Sequence, residues 1–213
     1  FTSDNGPWLI FGNHGGSAGH LRGGKKQTFD GGHRVPMIVR WPGRVPTGTL
    51  CTEPVVAFDL LPTLVACTGS DAPRRRVDGK DISPLLFGAA DATTPHEFMA
   101  FYYRDELRAI RSEKWKIQFA HADRNAPDLA AIGNEGVRGG VTTVKHPTAL
   151  FDLASDVAES KDVSDEHPEM VARLNRFADQ IRVDLGDSIT KTEGRFRRDA
   201  GTAGKPISKP RNP

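Results

Sequence analysis

The chain has 213 residues, with 29 Lys and Arg against 27 Asp and Glu and a formal net charge of +2. This near balance gives no general attraction to nucleic acid or to anionic membranes, and no apolar run approaches the roughly 20 residues of a membrane-spanning helix. The length suffices for one domain with a real core, or for part of a domain followed by a small subdomain.

The first residues place the apolar Phe1 directly before a turn, Ser3-Asp4-Asn5-Gly6. An apolar residue that leads straight into a turn is typical of a sequence that begins within a strand. We therefore expect the C-terminal part of a longer protein, so the lack of a leader sequence carries no information about targeting.

Residues 1–50 are rich in Gly and turn residues, which indicates loops that bring backbone close to another group. Residues 37–41 form one short apolar run and predict a strand that stops at Pro42. Residues 59–69 then predict a short buried helix, because Asp59 fits an N-cap, Pro62 fits only a first turn and Gly69 fits a C-terminal stop.

From about residue 96 the pattern changes to that of a small antiparallel sheet with a packed helix. Segments 107–111 and 115–119 flank a polar turn, and the second alternates apolar and polar residues, as expected for a strand with one solvated face. Segment 149–153 predicts another strand. A helix is predicted from Pro168 to a stop at Gly186, with one apolar stripe: Met170, Val171, Leu174, Phe177, Ala178, Ile181 and Leu185.

These patterns divide the chain into residues 1–95, residues 96–189 and a disordered basic tail, residues 190–213, which lacks apolar periodicity. The spacing of Cys51 and Cys67 is not that of metal ligands, and we interpret the two residues as free thiols rather than a disulfide.

Two segments carry residues suited to chemistry. Asp4 and Asn5 offer adjacent hard oxygens that suit Ca²⁺ or Mg²⁺, although Asp-Asn-Gly is also an ordinary turn sequence. In residues 21–36, two Gly-Gly pairs bracket Lys25 and Lys26. A lysine held by such a loop can meet an anionic oxygen as a compact charge, whereas a lysine pair in isolation is usually a solvated surface.

Together these motifs resemble sulfatases of the arylsulfatase A and N-acetylgalactosamine-6-sulfatase type. The similarity covers roughly residues 1–185 and rests on segments that occur in the family's order: Asp4-Asn5-Gly6, residues 21–36, Arg40-Trp41-Pro42-Gly43, residues 59–64, Phe101-Tyr102-Tyr103-Arg104, and Leu150-Phe151-Asp152-Leu153 with Asp156.

The resemblance implies an alkaline-phosphatase-like α/β fold. Residues 1–95 would supply the late part of the large sheet domain, and residues 96–189 the small C-terminal sheet with its helix. It also implies that Asp4 and Asn5 are calcium ligands and that Lys25 contacts the sulfate. Lys26 is a weaker choice, because relatives often have Gly or another residue there.

One departure from the family bears on activity. Sulfatases carry a Cys-x-Pro-x-Arg motif whose cysteine becomes formylglycine, the nucleophile, and neither Cys51 nor Cys67 has this context. The resemblance therefore implies that the nucleophile lies in an N-terminal remainder of the same enzyme, and that this segment alone is inactive.

Other polar residues leave alternatives open. His20, Tyr103 and Arg104 are candidates for a substrate rim, but the histidine fits a solvent-facing role and the other two fit packing equally well. For Arg34 we favour a structural ion pair, and for Asp30 hydrogen bonds within its own loop.

The expected function is the calcium-dependent hydrolysis of sulfate monoesters, either aryl sulfates or sulfated sugars, in a periplasmic or secreted enzyme (lysosomal if animal). The alternatives are a non-catalytic carbohydrate-binding or structural module and a phosphodiesterase or phosphonate hydrolase of the same superfamily. Asn5 speaks against the last, which tends to have His beside the Asp.

Overall fold

A computed structural model describes residues 1–72 and 74–197. Within these residues it contains four α-helices and eight strands, in chain order: α1 (Asp30–His33), α2 (Leu60–Thr68), α3 (Ser83–Leu86), β1 (Met99–Tyr103), β2 (Glu106–Ser112), β3 (Trp115–Gln118), β4 (His121–Pro127), β5 (Val141–His146), β6 (Ala149–Asp152), α4 (Pro168–Leu185), β7 (Gly186–Asp187) and β8 (Thr192–Glu193). Short 3₁₀ helices occupy Leu9–His14, Ala57–Asp59 and Leu129–Ala131.

The largest sheet is antiparallel, with the strand order β1-β2-β3-β6. Its centre is the hairpin of β2 and β3, in which Ser112 pairs with Trp115 across the predicted polar turn. The predicted strands at 107–111, 115–119 and 149–153 are confirmed to within about one residue at each end. β4 and β5 form a separate two-stranded sheet.

Helix α4 covers one face of the large sheet. Pro168 begins the helix and Gly186 follows its last residue, as predicted. Its stripe contributes Leu174, Phe177 and Ala178 to a core that also contains five residues of β2, β3 and β6: Leu107, Ile110, Trp115, Ile117 and Leu150. Leu185, the last residue of the predicted stripe, is exposed instead.

The opposite face of the sheet is covered by the glycine-rich segment 22–33. Phe29 packs there against Ala149, Phe151 and Leu153, whose neighbour Leu150 points to the helix side. The prediction that one face of β3 is solvated is therefore wrong, because Lys116 and Gln118 are fully buried beneath this segment. Alternation predicts two different faces but does not show what covers the polar one.

The predicted strand at 37–41 is not formed in the described part of the chain. Met37 makes an isolated bridge to Thr2, and the Ile38 N–H donates to the Phe1 carbonyl at 2.8 Å. Beyond this point the segment has no ladder partner among the described residues, and the Ile38 side chain is 63% exposed. An extended segment without such partners leaves its backbone groups to water.

Helix α2 has the predicted bounds, and Gly69 after it adopts the left-handed conformation with φ 63°. The helix is not buried, however, since Leu61 is 52% and Leu64 is 56% exposed. Asp59 precedes it as predicted, but the carboxylate does not cap it. It accepts hydrogen bonds from the Val56 and Lys80 N–H groups and from His96 Nε2 instead.

After α4 the chain turns back as the β7–β8 hairpin, which carries regular structure past residue 190, the predicted start of the tail. Residues 198–213, the rest of the predicted disordered tail, lie outside the described residues. Cys51 and Cys67 are free. In the described part of the chain, no helix combines the length and apolarity that crossing a bilayer requires.

Candidate functional site

The candidate site is an open groove of about 660 Å³ near the start of the chain. Asp4, Asn5, Lys25 and Arg34 all line it, together with Trp8. The structure thus brings together the two residues proposed for the metal and the lysine proposed for sulfate. Arg34, for which the sequence favours a structural ion pair, also lines the groove.

The turn that carries Asp4 and Asn5 is fixed by close backbone packing. Thr2 bridges to Met37 just before it, and the Gly6 N–H just after it donates to the Gly32 carbonyl at 3.0 Å. A Cβ at Gly6 would overlap the Gly31 carbonyl oxygen, so only glycine fits here. The predicted role of the glycines, close approach of backbone, is confirmed at this position.

Asp4 is exposed and Asn5 half-buried, and their oxygens are the hard donors that calcium prefers. Calcium takes about six to eight oxygen ligands. Among residues 1–72 and 74–197, no three His, Cys, Asp or Glu side chains are arranged to hold a metal. The donor chemistry therefore fits a hard cation, but this chain offers part of a ligand set.

Lys25 is held through its backbone. Its N–H donates to the Pro7 carbonyl at 2.8 Å, and a Cβ on the preceding Gly24 would come within 2.5 Å of the same oxygen. The ammonium lies 5.0 Å from the centre of the Trp8 ring, within cation–π range. Trp8 was not singled out from the sequence, because a lone aromatic residue is as easily a core residue.

Lys26 differs from Lys25 in two respects. It is exposed and its backbone has φ 76°, a left-handed conformation that disfavours residues other than glycine. Its ammonium also lies near Trp8, at 5.2 Å from the ring centre, but Lys26 is not among the residues that line the groove.

The three predicted rim residues do not line the groove. His20 is exposed and adjoins Leu21, which does line it. Tyr103 ends β1, where its hydroxyl accepts a hydrogen bond from Asn125 Nδ2 at 3.0 Å and its ring lies 4.4 Å from the Arg108 guanidinium. Arg104 follows in the β1–β2 turn, with φ 56°.

Beneath segment 22–33 lies a buried ionic cluster that the sequence does not reveal. The Lys116 ammonium lies 2.7 Å from Asp30 Oδ1 and 2.8 Å from Glu159 Oε1, and the Asp30 N–H donates to Glu159 Oε2 at 2.6 Å. The prediction that the Asp30 carboxylate forms hydrogen bonds within its own loop is therefore wrong, because it pairs with Lys116 on β3. Burial opposes ionisation of Asp30, but Lys116 together with Arg111 and Arg34 lowers its pKa, whereas burial raises the pKa of Glu159.

Comparisons with known proteins identify the family of this chain. A family model described as the C-terminal region of aryl-sulfatase matches residues 94–202. A second, the C-terminal region of N-sulphoglucosamine sulphohydrolase, matches residues 20–130. The chain belongs to the sulfatase family. The resemblance expected from the motifs is confirmed.

Among individual sulfatases, arylsulfatase A of Bos taurus is 36% identical over 193 residues, which cover 86% of this chain and 36% of that protein. The steryl-sulfatase of Rattus norvegicus is 34% identical over 179 residues, covering 78% of this chain and 31% of its own length. The chain thus spans about a third of the length of these sulfatases.

Among solved structures, the PsFucS1 sulfatase from Pseudoalteromonas sp. superposes with a TM-score of 0.70 at 22% identity, over 90% of this chain and 37% of that one. This likeness concerns the fold. It confirms the expected alkaline-phosphatase-like α/β sulfatase architecture, to which the antiparallel sheet with packed α4 belongs.

Proposed function

We propose that this chain is the C-terminal part of a calcium-dependent sulfatase that hydrolyses sulfate monoesters. The observation that carries the proposal is the shared groove: Asp4, Asn5 and Lys25, chosen from separate motifs, line the same opening. A cation site beside a lysine suits the binding of a negatively charged sulfate group and the stabilisation of charge on its oxygens in the transition state.

Each residue has a defined task in this proposal. Asp4 and Asn5 would hold calcium jointly with ligands from the rest of the protein, and the bound cation would supply positive charge at the sulfate oxygens. Lys25 would donate to a sulfate oxygen as a compact charge. As in phosphoryl transfer, the protein's contribution is to position the group and neutralise oxygen charge.

The nucleophile would come from a part of the protein outside these 213 residues. Cys51 precedes Thr52-Glu53-Pro54 and Cys67 precedes Thr68-Gly69-Ser70, so neither has the context in which formylglycine forms. The N-terminal remainder of the same enzyme is therefore the proposed partner of this segment.

The proposed substrates are aryl sulfates or sulfated sugars. The relatives' names, arylsulfatase and steryl-sulfatase, support an ester of sulfate with an organic alcohol. We place the enzyme in the periplasm or outside the cell, or in the lysosome for an animal source. The balanced charge of the chain supports no nucleic-acid partner.

An activity assay of the intact protein tests this function. The purified enzyme is incubated with a chromogenic aryl sulfate, with the matched phosphate diester, and with each after chelation of divalent cations. We expect turnover of the sulfate ester that chelation abolishes and added calcium restores. Turnover of the phosphate diester alone would favour the phosphodiesterase alternative, and turnover of neither ester would favour a non-catalytic module.

A further inference from the structure

The loop that carries Lys25, residues 22–33, is held from beneath by side chains of the C-terminal subdomain. We call these residues the Lys25 loop. The Gly24 N–H donates to Gln27 Oε1 at 2.9 Å, and Gln27 Nε2 donates in turn to Asp123 Oδ2 on β4 at 2.6 Å. Gln27 is 9% and Asp123 is 1% exposed, so water competes little with either bond.

Two further buried contacts come from β3 and reach the residues that follow Gln27. Gln118 Nε2 donates to Thr28 Oγ1 at 2.9 Å, and Lys116 pairs with Asp30. The C-terminal subdomain therefore contacts the Lys25 loop at three positions close behind Lys25. Buried polar groups are costly to leave unpaired, so these contacts select one loop conformation.

Of these three contacts, the one made by Gln27 bears most directly on Lys25. The Gln27 side-chain oxygen accepts from the Gly24 N–H, and the Gln27 N–H donates to the Gly24 carbonyl at 2.9 Å, so Gln27 holds both backbone groups of the residue before Lys25. On the other side the Lys25 N–H is bound to the Pro7 carbonyl. The position of the Lys25 side chain thus depends on a backbone that Gln27 holds.

The chemistry of position 27 fits this role. Asp123 Oδ1 already accepts from the Asn125 N–H at 2.9 Å, so Asp123 Oδ2 needs a donor, while the Gly24 N–H needs an acceptor. A side-chain amide supplies both at once, whereas a carboxylate or an apolar side chain cannot.

We propose that Gln27, fixed by Asp123, is a positioning residue for Lys25, so that the C-terminal subdomain sets the place of the ammonium that meets the substrate's sulfate. This rests on the proposed function for the role of Lys25. Gln27 itself does not touch the substrate; it acts through the Gly24 peptide.

A reversal of hydrogen-bond polarity tests the proposal in the intact protein. Gln27→Glu places two carboxylates against each other, and Asp123→Asn in the same chain restores a bond because the new amide donates to the glutamate. The second glutamate oxygen still accepts from Gly24. Gln180→Glu and Asp179→Asn make the same chemical changes at exposed positions of α4 and serve as matched controls.

Three readouts are compared: kcat and KM on an aryl sulfate, the rate of reductive methylation of Lys25 measured by mass spectrometry, and thermal unfolding. We expect Gln27→Glu to lower kcat by about 10- to 100-fold, as small misplacements of a catalytic group do. We also expect it to speed methylation of Lys25, and the double variant to recover most of both. The exposed controls should change neither.

Two results would overturn the proposal: a cooperatively folded Gln27→Glu protein in which Lys25 methylation and kcat match those of the wild type, or a double variant that recovers stability without recovering either. Should Gln27→Glu fail to fold, the milder Asp123→Asn single variant gives the same comparison. If the wild-type protein hydrolyses no sulfate ester, the proposed function fails, while Lys25 methylation still decides whether Gln27 positions Lys25.

Discussion

The Lys116 ammonium lies 2.7 Å from Asp30 Oδ1 although 86 positions separate the two residues in the chain. Both side chains are buried, and Glu159 places a second carboxylate 2.8 Å from the same ammonium. One cation between two carboxylates ties β3 to the Lys25 loop. Removal of Lys116 would leave the buried Glu159 without this counter-ion and Asp30 with only the more distant Arg111, at 3.8 Å.

We therefore expect Lys116→Met to lower the free energy of unfolding by about 3–5 kcal/mol, the usual cost of breaking a buried ion pair from one side. Denaturant unfolding of the intact protein at neutral pH measures it. Lys114→Met is the matched control, since Lys114 pairs with Asp152 at 2.7 Å on the exposed surface and should cost at most about 1 kcal/mol. Equal losses in the two variants would contradict the account of the buried cluster.

Local patterns predicted the secondary structure where contacts are local. The bounds of α4 follow from Pro168 and Gly186, and the β2–β3 hairpin follows from two apolar runs around a polar turn. The burial of Lys116 could not be predicted in this way. It depends on a loop far away in sequence that packs on the face of β3 that alternation marks as polar.

The same limit applies to the first part of the chain and to the site. Residues 37–41 have the composition of a strand, but a strand also needs ladder partners, which composition does not reveal. Asp4, Asn5 and Lys25 could be chosen because each lies in a compact motif. Gln27 carries no such signal, because its role arises only from contact with Asp123 on β4.

A pair of histidines makes stability depend on pH. The rings of His121 and His146 lie 5.1 Å apart, and burial lowers the pKa of both below the usual value of 6.5, with the neighbouring His121 adding to the shift at His146. The unfolded chain binds these protons more readily than the folded chain. The stabilisation is therefore fully present above pH 6.5 and is lost as the pH falls through the lowered pKa values.

We expect the melting temperature of the intact protein to fall between pH 7.5 and 5, and His146→Phe to make that fall shallower. Phenylalanine keeps the ring that packs 5.0 Å from Phe29 and removes the titrating group. His14→Asn, at an exposed position, should leave the slope unchanged. A slope that is the same in His146→Phe and the wild type would assign the pH dependence to other groups.

The two adjacent lysines should differ in their effect on activity. Lys25 lines the groove, so Lys25→Ala should lower the rate of sulfate ester hydrolysis by about 10² to 10³, as the loss of one preorganised charge contact does. Lys26→Gly should change the rate little, because Lys26 is exposed and glycine suits its φ of 76°. Steady-state kinetics of both variants test this difference, and a larger loss of rate in the Lys26 variant would count against the assignment of Lys25.

The proposed metal site predicts that Asp4→Ala abolishes calcium-dependent activity. Calcium needs several oxygens at about 2.3 to 2.6 Å, so the loss of one carboxylate removes both a ligand and a charge. A calcium titration of activity measures the effect, with Asp71→Ala at an exposed position as the control. Activity that responds to calcium equally in Asp4→Ala and the wild type would remove the metal assignment.

The last prediction concerns residues 1–213 expressed alone. We expect no sulfatase activity, because neither Cys51 nor Cys67 lies in the context that formylglycine formation requires. We also expect poor folding of residues 1–95 and a tendency to aggregate. Ile38, Phe58, Leu61 and Leu64 are each more than half exposed, and an apolar face of this kind associates with other surfaces in water.

The C-terminal subdomain should behave differently in the same preparation. Its hairpin and α4 bury Leu107, Ile110, Ile117 and Leu174 completely, so about residues 96–185 should keep structure. Both halves of the prediction are tested on the purified chain by the binding of an apolar dye, by thermal unfolding and by an aryl sulfate assay with calcium. Leu61→Lys with Leu64→Lys should reduce dye binding and aggregation without loss of the melting transition, because both side chains face solvent. A cooperatively unfolding chain with real turnover would require a nucleophile within these 213 residues and would overturn the proposed division of the enzyme.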